Sequence, residues 1–480
     1  MKKSIVSLLL LVAMMFNIFA FTACDLFGGG KVDHKLDGVY DGSKVTITFW
    51  HTMGADNRAL LEDAIARFRE IYPNITVDHK NYGDYDEVFT QIRTKLSNDA
   101  QPNLAYCYPD HVATYNKSFA VATLDDLINN QNVVEGSGEM MGFTQEQLDD
   151  FIEGYYNEGK AYGDGLMYSL PFQKSTEVLY YNKTVVDPVM AELGIDALDT
   201  WDKVEAVITA LKEDYPSSIP LGYDSVENFF ITLAAQSHPG DPNGGYTSAT
   251  GDHYIFDNET NKEFIAKFAE WYQKGLMYSP NPTESGYTSD AFKQTKEEGK
   301  VFLCIGSSAG ARYQRPEKVN GEYPFDIGIV PIPQVSTDNA KVISQGPSIC
   351  LFKDDNVQET YAAWLFLKFL TTDKVFQAQY SMKSGYVPVI KSVIEDNNYK
   401  NYLAKADGGD FITSLVAKVA LDQESYYFTS PAFAGSADCR TQVGLLAYAI
   451  FNNYSLTATD AVNKAMIDQK FAVSVAECSK

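Results

Sequence analysis

VTITFW, at residues 45–50, alternates β-branched or aromatic side chains with polar ones, a period of two that predicts a β-strand with one buried face. A helical pattern follows at 58–72, where apolar residues recur every three or four positions, and a second strand follows at 75–77. A helix at 85–96 and a strand at 103–108 extend the alternation. Because strands that alternate with helices pair in parallel beneath those helices, this stretch predicts an α/β fold.

The rest of the 480-residue chain continues the mixture of strands and helices. We predict strands at 178–181, 301–305 and 327–330, and helices at 201–212, 262–274 and 358–370. Beyond residue 390 we predict mostly helix. The length predicts more than one domain, since a domain averages roughly 150 residues. No linker-like stretch divides the chain after residue 43, so we expect two lobes that exchange chain segments.

The first 43 residues form a predicted targeting and anchoring segment. Two lysines, an apolar run and two small residues are typical of a signal peptide over residues 1–23. The ending FTAC at 21–24 resembles a bacterial lipobox, which implies that Cys24 carries a lipid and anchors the mature protein to the outside of the bacterial cell membrane. The alternative is an ordinary signal peptide followed by an incidental cysteine. Residues 24–43, with three consecutive glycines, are predicted to form a flexible tether.

The composition excludes some classes of partner. The formal net charge is −24, from 39 Lys and Arg against 63 Asp and Glu. Nucleic acids and anionic lipid surfaces are bound through basic patches, so this balance argues against both. The cysteines show no C-x-x-C spacing and the histidines no i, i+4 pair, so neither a metal site nor a cofactor is predicted. The five cysteines besides Cys24 cannot all pair, and three of them lie in apolar runs, which favours buried free thiols.

One motif resembles a catalytic site. Residues 306–310, GSSAG, match G-x-S-x-G after a predicted strand, which is the setting of a hydrolase nucleophile elbow. In that fold the catalytic histidine follows the serine, whereas all six histidines of this chain precede Ser308. We therefore predict no catalytic residues and interpret the motif as a turn of small residues whose N–H groups and hydroxyls can face a ligand.

Several segments in order resemble the family 1 extracellular solute-binding proteins that feed ABC importers, within which the chain is most similar to glycerol-3-phosphate and carbohydrate binders. These segments are ITFWHTM at 47–53, LPFQKSTEVLYYNK at 170–183, TWD at 200–202, residues 301–310, 345–351 and 363–374, and SGYVPV at 384–389.

The resemblance implies a two-lobe fold of the type II periplasmic-binding-protein kind, which closes like a Venus flytrap, with crossovers near 170–175, 304–308 and 346–350. The implied first lobe comprises residues 44–172 with 308–348. The implied second lobe comprises residues 173–307 with 349–480.

The resemblance also implies a set of ligand-binding residues in the cleft between the lobes. They are Tyr85, Asp110, Ser175, Trp201, Ser307, Ser308, Gly346, Tyr386 and Arg440. Aromatic rings suit the apolar faces of a sugar, whereas an arginine fork and a nest of N–H donors suit a phosphate. Each residue also has a structural interpretation: Trp201 is equally consistent with packing at a helix start, and Arg440 with an ordinary ion pair on a helix.

The sequence predicts a monomeric, non-catalytic receptor that captures a small solute and passes it to the permease of an ABC importer. A sugar, an oligosaccharide and a glycerol phosphodiester all remain candidate solutes. A secreted glycosidase and a surface receptor or adhesin on the same fold are the alternatives, since Asp and Glu pairs are abundant in this chain.

Overall fold

The computed structural model of the protein describes residues 35–284, 286–407 and 412–480. The predicted signal peptide and the predicted lipid attachment at Cys24 lie outside these residues. No helix in the described ranges is long and apolar enough to cross a membrane.

The described residues contain twelve β-strands, labelled in chain order. They are β1 Val45–His51, β2 Ile75–Asn81, β3 Leu104–Cys107, β4 Ser169–Pro171, β5 Ser175–Asn182, β6 Leu221–Tyr223, β7 Met277–Tyr278, β8 Leu303–Ser307, β9 Ile327–Pro331, β10 Val342–Gln345, β11 Ser348–Leu351 and β12 Tyr427–Phe428.

The same ranges contain eighteen α-helices, labelled in the same way. They are α1 Ala55–Ile71, α2 Tyr85–Leu96, α3 Pro109–Tyr115, α4 Asp125–Ile128, α5 Gln145–Asp150, α6 Glu153–Glu158, α7 Lys183–Leu193, α8 Trp201–Asp214, α9 Val226–Ser237, α10 Glu259–Gln273, α11 Ser289–Lys293, α12 Val357–Thr372, α13 Lys374–Ser384, α14 Lys391–Ile394, α15 Asn397–Leu403, α16 Ile412–Asp422, α17 Ser436–Asn453 and α18 Asp460–Cys478.

The stretch that opens the fold forms the predicted elements in the predicted order, from β1 through α1, β2 and α2 to β3. Burial alternates along β1, where Ile47 and Phe49 are fully buried. Helix α1 buries Leu61 on the face that the periodicity indicates. Helix α2 begins after Asp84, whose carboxylate accepts a hydrogen bond from the Glu87 N–H and so caps the helix. These observations confirm the α/β prediction.

The first lobe is built on a five-stranded sheet of order β2-β1-β3-β11-β4. Strands β1, β2 and β3 are parallel, and β11 pairs antiparallel with both β3 and β4. Helices α1, α12 and α13 supply core residues such as Phe68, Trp364 and Phe376. The lobe comprises residues 35–172 and 348–403.

The second lobe is built on a seven-stranded sheet of order β12-β10-β5-β8-β6-β7, with β9 paired to β5. Helices α8, α9, α10, α17 and α18 pack into one apolar core with it. The lobe comprises residues 175–345 and 423–480. Helix α16 lies between the lobes, because Ala417 and Ala420 belong to the first core while Val416 and Val419 belong to a cluster of the second.

The chain passes between the lobes at 172–174 and 346–347, and a third time along α16, which contacts both lobes. The predicted crossover near 304–308 is not present, because β8 lies inside the second sheet. The predicted lobe boundaries are corrected accordingly. Residues 327–345 contribute β9 and β10 to the second sheet, whereas β11 and α12, expected in the second lobe, belong to the first. Alternating elements alone do not specify which sheet an antiparallel strand joins.

Residues 35–43 pack on the first lobe, which corrects the prediction of a free tether over this part of the chain. Leu36 and Tyr40 are buried in the first core. The Gly38 N–H donates to the Tyr361 hydroxyl at 2.8 Å, and the Gly38 carbonyl accepts from the Asn130 amide at 2.6 Å. Because burial of apolar surface is favourable, Leu36 and Tyr40 hold this segment on the first lobe, although its composition alone predicts a flexible chain.

Candidate functional site

A cleft of about 850 Å³ lies between the two lobes. Its first-lobe wall is formed by α2, by the end of β3 and by α3, at the carboxyl end of the parallel strands, where α/β sheets commonly bind ligands. Its second-lobe wall is formed by the starts of α9 and α17, by residues 280–284 and 286–287, and by the loop at 429–432.

The first-lobe wall is aromatic with a polar edge. Tyr85 is the first residue of α2, Tyr108 follows β3, and their ring centroids are 5.0 Å apart. Asp110 and His111 occupy the first turn of α3, and the His111 ring stacks on Phe89 at 4.5 Å. Burial lowers the pKa of His111 even though Asp110 opposes the effect, so the neutral ring is favoured at pH 7.

Arg440, near the start of α17, is the cation of the second-lobe wall. Its guanidinium donates a hydrogen bond to the Asn228 side-chain oxygen and interacts electrostatically with Asp110 on the opposite wall and with Glu227 on its own. Burial lowers the pKa of Arg440, but Asp110, Glu227, Tyr246 and Tyr108 together outweigh burial and leave the pKa raised. The guanidinium is therefore charged, and it already has anionic neighbours.

Carboxylates outnumber cations along the cleft. The carboxylate residues are Asp84, Asp86, Asp110, Glu158, Asp224, Glu227, Glu284 and Asp438. The arginines are Arg93 and Arg440. An excess of carboxylates with low-dielectric walls concentrates a negative potential in the cleft, which disfavours an anionic solute and leaves many acceptors for hydroxyl donors.

Behind Arg440 lies a buried carboxyl group on β5. Glu177 accepts hydrogen bonds from the Tyr223 hydroxyl at 2.5 Å and from the Asn228 amide at 2.9 Å. Burial raises the pKa of Glu177 to about 7, against the lowering effect of these donors and of Arg440. Because the Asn228 amide donates to Glu177, its oxygen is left to accept from Arg440, and the three side chains form one directed chain from the core to the cleft.

A buried ion pair joins the lobes where the chain crosses between them. Lys174, in the first crossing, donates to Glu158 at 2.6 Å and to the Gly346 carbonyl at 3.0 Å. Glu158 also accepts from Ser344 of the second lobe at 2.8 Å and from Ser348 of the first at 3.2 Å. The side chains of Lys174 and Glu158 are 0% and 2% exposed, so their charges depend on each other and on these donors.

Residues 63–406 match the family model described as bacterial extracellular solute-binding protein. The match covers more than half of the chain, and the fold and interlobe cleft accord with it. The chain belongs to this family. The family resemblance and the two-lobe α/β fold predicted from the sequence are therefore confirmed.

This solute-binding protein has curated relatives of similar length. It is 24% identical over 384 residues to the sn-glycerol-3-phosphate-binding periplasmic protein UgpB of Salmonella typhimurium. The matched region covers 77% of this chain and 80% of the relative.

Among solved structures, it resembles UgpB from Mycobacterium tuberculosis in complex with glycerophosphocholine, with a TM-score of 0.65, 18% identity and coverage of 91% of this chain and 100% of that one. It also resembles the ABC substrate-binding protein Lmo0181 from Listeria monocytogenes in complex with cycloalternan, with a TM-score of 0.66, 15% identity and coverage of 90% and 100%.

Three of the predicted ligand residues of this solute-binding protein line the cleft: Tyr85, Asp110 and Arg440. A fourth, Tyr386, lies behind Tyr85, with 3.2 Å between the two hydroxyl oxygens. The structure thus brings these four side chains to one region from both lobes.

Four other predicted ligand residues do not line the cleft: Ser175 and Gly346 lie beside the crossings between the lobes, and Ser307 and Ser308 lie at the end of β8. Ser175 is buried at the start of β5, and Ser308 is buried with its hydroxyl accepting from the Thr176 N–H at 3.3 Å. Ser307 ends β8 and accepts from the Ala309 N–H as a helix cap. Gly346, with φ +87°, lies against the first crossing. The burial of Ser308 also explains why the G-x-S-x-G turn presents no exposed nucleophile.

Trp201, predicted to stack in the cleft, lies instead in the core of the second lobe. Its side chain is 3% exposed, its indole N–H donates to Gln236 at 3.0 Å, and its ring contacts Phe268 edge-on at 5.0 Å. The stacking assignment is therefore corrected to helix-start packing.

Sequence reasoning missed several residues of the cleft. They are Tyr108, His111, Glu158, Glu227, Tyr246 and Tyr287. Tyr108 and His111 carried a usable signal, because they directly follow a parallel strand at its ligand-binding end. The others come from loops and helix ends whose neighbours in space are distant in sequence.

Proposed function

We propose that the protein is a receptor for an uncharged carbohydrate or polyol, which it captures between its lobes and delivers to the permease of an ABC importer. The observation that carries the proposal is the chemistry of the cleft, in which tyrosine rings and more carboxylates than arginines surround a space of about 850 Å³. Sugar hydroxyls donate to carboxylates, and the C–H faces of sugar rings stack on tyrosines, so such a wall suits a neutral sugar.

The proposed contacts come from both lobes. Tyr85 and Tyr108 would stack on the solute from the first lobe, and Asp110 would accept its hydroxyl hydrogens. Arg440 would donate from the second lobe. Because the solute would then touch both lobes, its binding would stabilise the closed arrangement over the open one.

A glycerol-phosphate ester is the second candidate solute. It is supported by Arg440, a half-buried cation in the cleft, and by the sequence similarity to sn-glycerol-3-phosphate-binding proteins. A phosphate at Arg440 would have to compete with Asp110 and Glu227, which ranks this candidate second.

Thermal unfolding with a ligand panel tests the proposal. We expect maltose or a longer glucan at 100 times its Kd to stabilise the folded state by about 2.7 kcal/mol, while glycerol 3-phosphate and glycerophosphocholine leave the melting temperature unchanged. A shift with the phosphate esters and with no sugar would replace the first candidate by the second.

Variants of Arg440 separate the two candidates further. Arg440→Ala should abolish any phosphate-dependent shift, while weakening sugar binding by about tenfold, the value of one hydrogen bond from a charged donor. Arg69→Ala, an exposed arginine outside the cleft, is the matched control and should change neither. Equal loss of sugar and phosphate binding would contradict the assigned role of Arg440.

We further propose lipid attachment at Cys24 and a monomeric receptor. The FTAC sequence supports the first. Expression in a bacterial host with a labelled fatty acid should label the membrane-bound protein, and Cys24→Ser should release unlabelled protein; label retained by the variant would exclude this site. Light scattering of the soluble variant should give the mass of one chain.

A further inference from the structure

Two cysteines face each other where the last two helices pack. Helices α17 and α18 form an antiparallel hairpin, since only residues 454–459 separate them and both bury residues in the second core. Cys439 lies 14 residues before the end of α17 and Cys478 lies 18 residues after the start of α18. At 1.5 Å per residue these positions are about 21 and 27 Å from the connection, which brings them to within about one turn of the same level.

The two thiols interact and differ in character. Cys439 is fully buried, and burial raises its pKa, whereas a hydrogen bond from Cys439 lowers the pKa of Cys478. Cys478 is 7% exposed and lies in the last turn of α18, where helix ends fray. The more acidic thiol of the pair is therefore also the more accessible one.

A second pair of cysteines in this chain provides a comparison. Cys107 and Cys350 lie on the neighbouring strands β3 and β11, both with no exposed surface. Cys107 pairs with Ser348, and Cys350 pairs with Ala105, so the two thiols are diagonal neighbours inside a sheet. Neither thiol is accessible to a reagent in water, which leaves the helix pair as the reactive one.

We propose that Cys439 and Cys478 form a redox modification site that closes to a disulfide on meeting a low-molecular-weight disulfide such as oxidised glutathione. The family works outside the cytoplasm, where disulfides persist. The structure describes the reduced form, with both thiols free.

The reaction proceeds through two thiol–disulfide exchanges. The Cys478 thiolate attacks one sulfur of the oxidant and expels one thiol, leaving a mixed disulfide on Cys478. The Cys439 thiol then loses its proton, attacks the Cys478 sulfur and expels the second thiol. The two protein thiols are oxidised by two electrons, the oxidant disulfide is reduced to two thiols, and the two protons end on those thiols.

The bond would act on the cleft wall. Cys439 directly precedes Arg440, so the disulfide would tie the turn that carries the cleft cation to the end of α18. It would also close a loop of about 40 residues, which constrains the unfolded chain and is expected to raise the melting temperature by about 5 °C.

Peptide mapping of the full-length protein tests the proposal. The reduced protein is incubated with oxidised glutathione, blocked with N-ethylmaleimide and digested with trypsin without reduction. We expect a cross-linked product of peptides 419–440 and 471–480, together with the rise in melting temperature, both reversed by dithiothreitol. Peptides 96–117 and 342–353, which contain Cys107 and Cys350, should stay unlinked.

Two results would overturn the site. One is a stable glutathione adduct on Cys478 without the cross-link, which would mean that Cys439 cannot reach it. The other is no reaction at either cysteine of the wild-type protein. Cys478→Ser should show neither the cross-link nor the rise in melting temperature; because the wild-type mass spectrum alone decides the outcome, a poorly folded variant would not obscure it.

Discussion

At the scale of single residues, Glu177 links the stability of the second lobe to pH. Its ordinary pKa of 4.5 applies to the unfolded chain, whereas burial raises the folded-state pKa to about 7. Between these values the folded chain holds a proton that the unfolded chain has released, so stability decreases as the pH rises. The stabilisation of the folded state by protonated Glu177 is fully present below pH 4.5 and is lost as the pH rises through 7.

Glu177→Gln should remove this dependence. Relative to the variant, the wild-type protein should lose about 3 kcal/mol of unfolding free energy between pH 4.5 and 8, because one pKa unit corresponds to about 1.4 kcal/mol. Urea titrations at both pH values measure it. Asp224, whose pKa burial also raises, is common to both proteins, so the difference isolates Glu177. Parallel pH profiles would contradict the assignment.

The ion pair at the crossings gives a second prediction at this scale. Lys174→Met leaves Glu158 charged and buried without its partner, so we expect a loss of about 3–5 kcal/mol of unfolding free energy, measured by urea titration. Lys203→Met is the matched control, because Lys203 is 36% exposed beside Asp196 and Asp199 and its loss should cost at most about 1 kcal/mol.

Adding Glu158→Gln to Lys174→Met removes the stranded charge. The double variant should recover part of the loss, because a neutral amide is cheaper to bury than a carboxylate. A double variant no more stable than the single one would show that Lys174 acts through packing alone.

At the scale of secondary-structure elements, the second crossing depends on one glycine. Gly346 has φ +87°, and a Cβ there would lie 2.3 Å from the Gln173 carbonyl oxygen and 2.8 Å from the Lys174 Cα. Both obstacles are backbone atoms of the first crossing and cannot rotate away. The two chain segments can pass this closely only when the side chain is absent.

Gly346→Ala should therefore lower the free energy of unfolding by clearly more than the cost of placing an alanine at a positive φ. Gly42→Ala is the matched control: Gly42 has φ +81° but nothing within 4 Å, so it should cost about 1–2 kcal/mol. Urea titrations of both variants give the difference, which isolates the contact. Equal losses would mean that the crossings separate to admit the methyl group.

The elements show which parts of the structure were predictable. The spacing of apolar residues along the sequence was enough to predict β1, α1 and α2, because each of them buries one face against a sheet. The same periodicity argues against the assignment of Trp201 to the cleft: this residue shares the buried face of α8 with Val204, Ile208 and Leu211, and that spacing places it in a core.

The spacing of apolar residues does not predict which segments contact each other when they are far apart in the sequence. Strand β11 could join either sheet by its pattern, and only its pairing with β3 assigns it. Likewise, Tyr85 and Arg440 line the same cleft only because the two lobes pack together. A short stretch of sequence contains no information about that packing. The family resemblance pointed to three residues that line the cleft for this reason, since it carries three-dimensional information that a single sequence does not.

At the scale of the whole molecule, the cleft predicts a change of shape on binding. A solute that touches Tyr85 of the first lobe and Arg440 of the second stabilises the closed arrangement. Small-angle scattering should show a smaller radius of gyration with the solute that the ligand panel identifies. The same concentration of a non-binding sugar is the control, and an unchanged radius with the bound solute would exclude hinge closure as the response.

The interleaving of the lobes also governs how the chain can be made. The first sheet is incomplete until β11 enters between β3 and β4, and β11 lies at residues 348–351 while β4 ends at Pro171. At roughly 5–20 residues per second, a ribosome needs on the order of 10–40 seconds to add that interval. Throughout this time β3 and β4 each have an unpaired edge, the kind of surface that recruits other strands and aggregates. We therefore expect a truncation before β11 to yield inclusion bodies rather than a soluble first lobe.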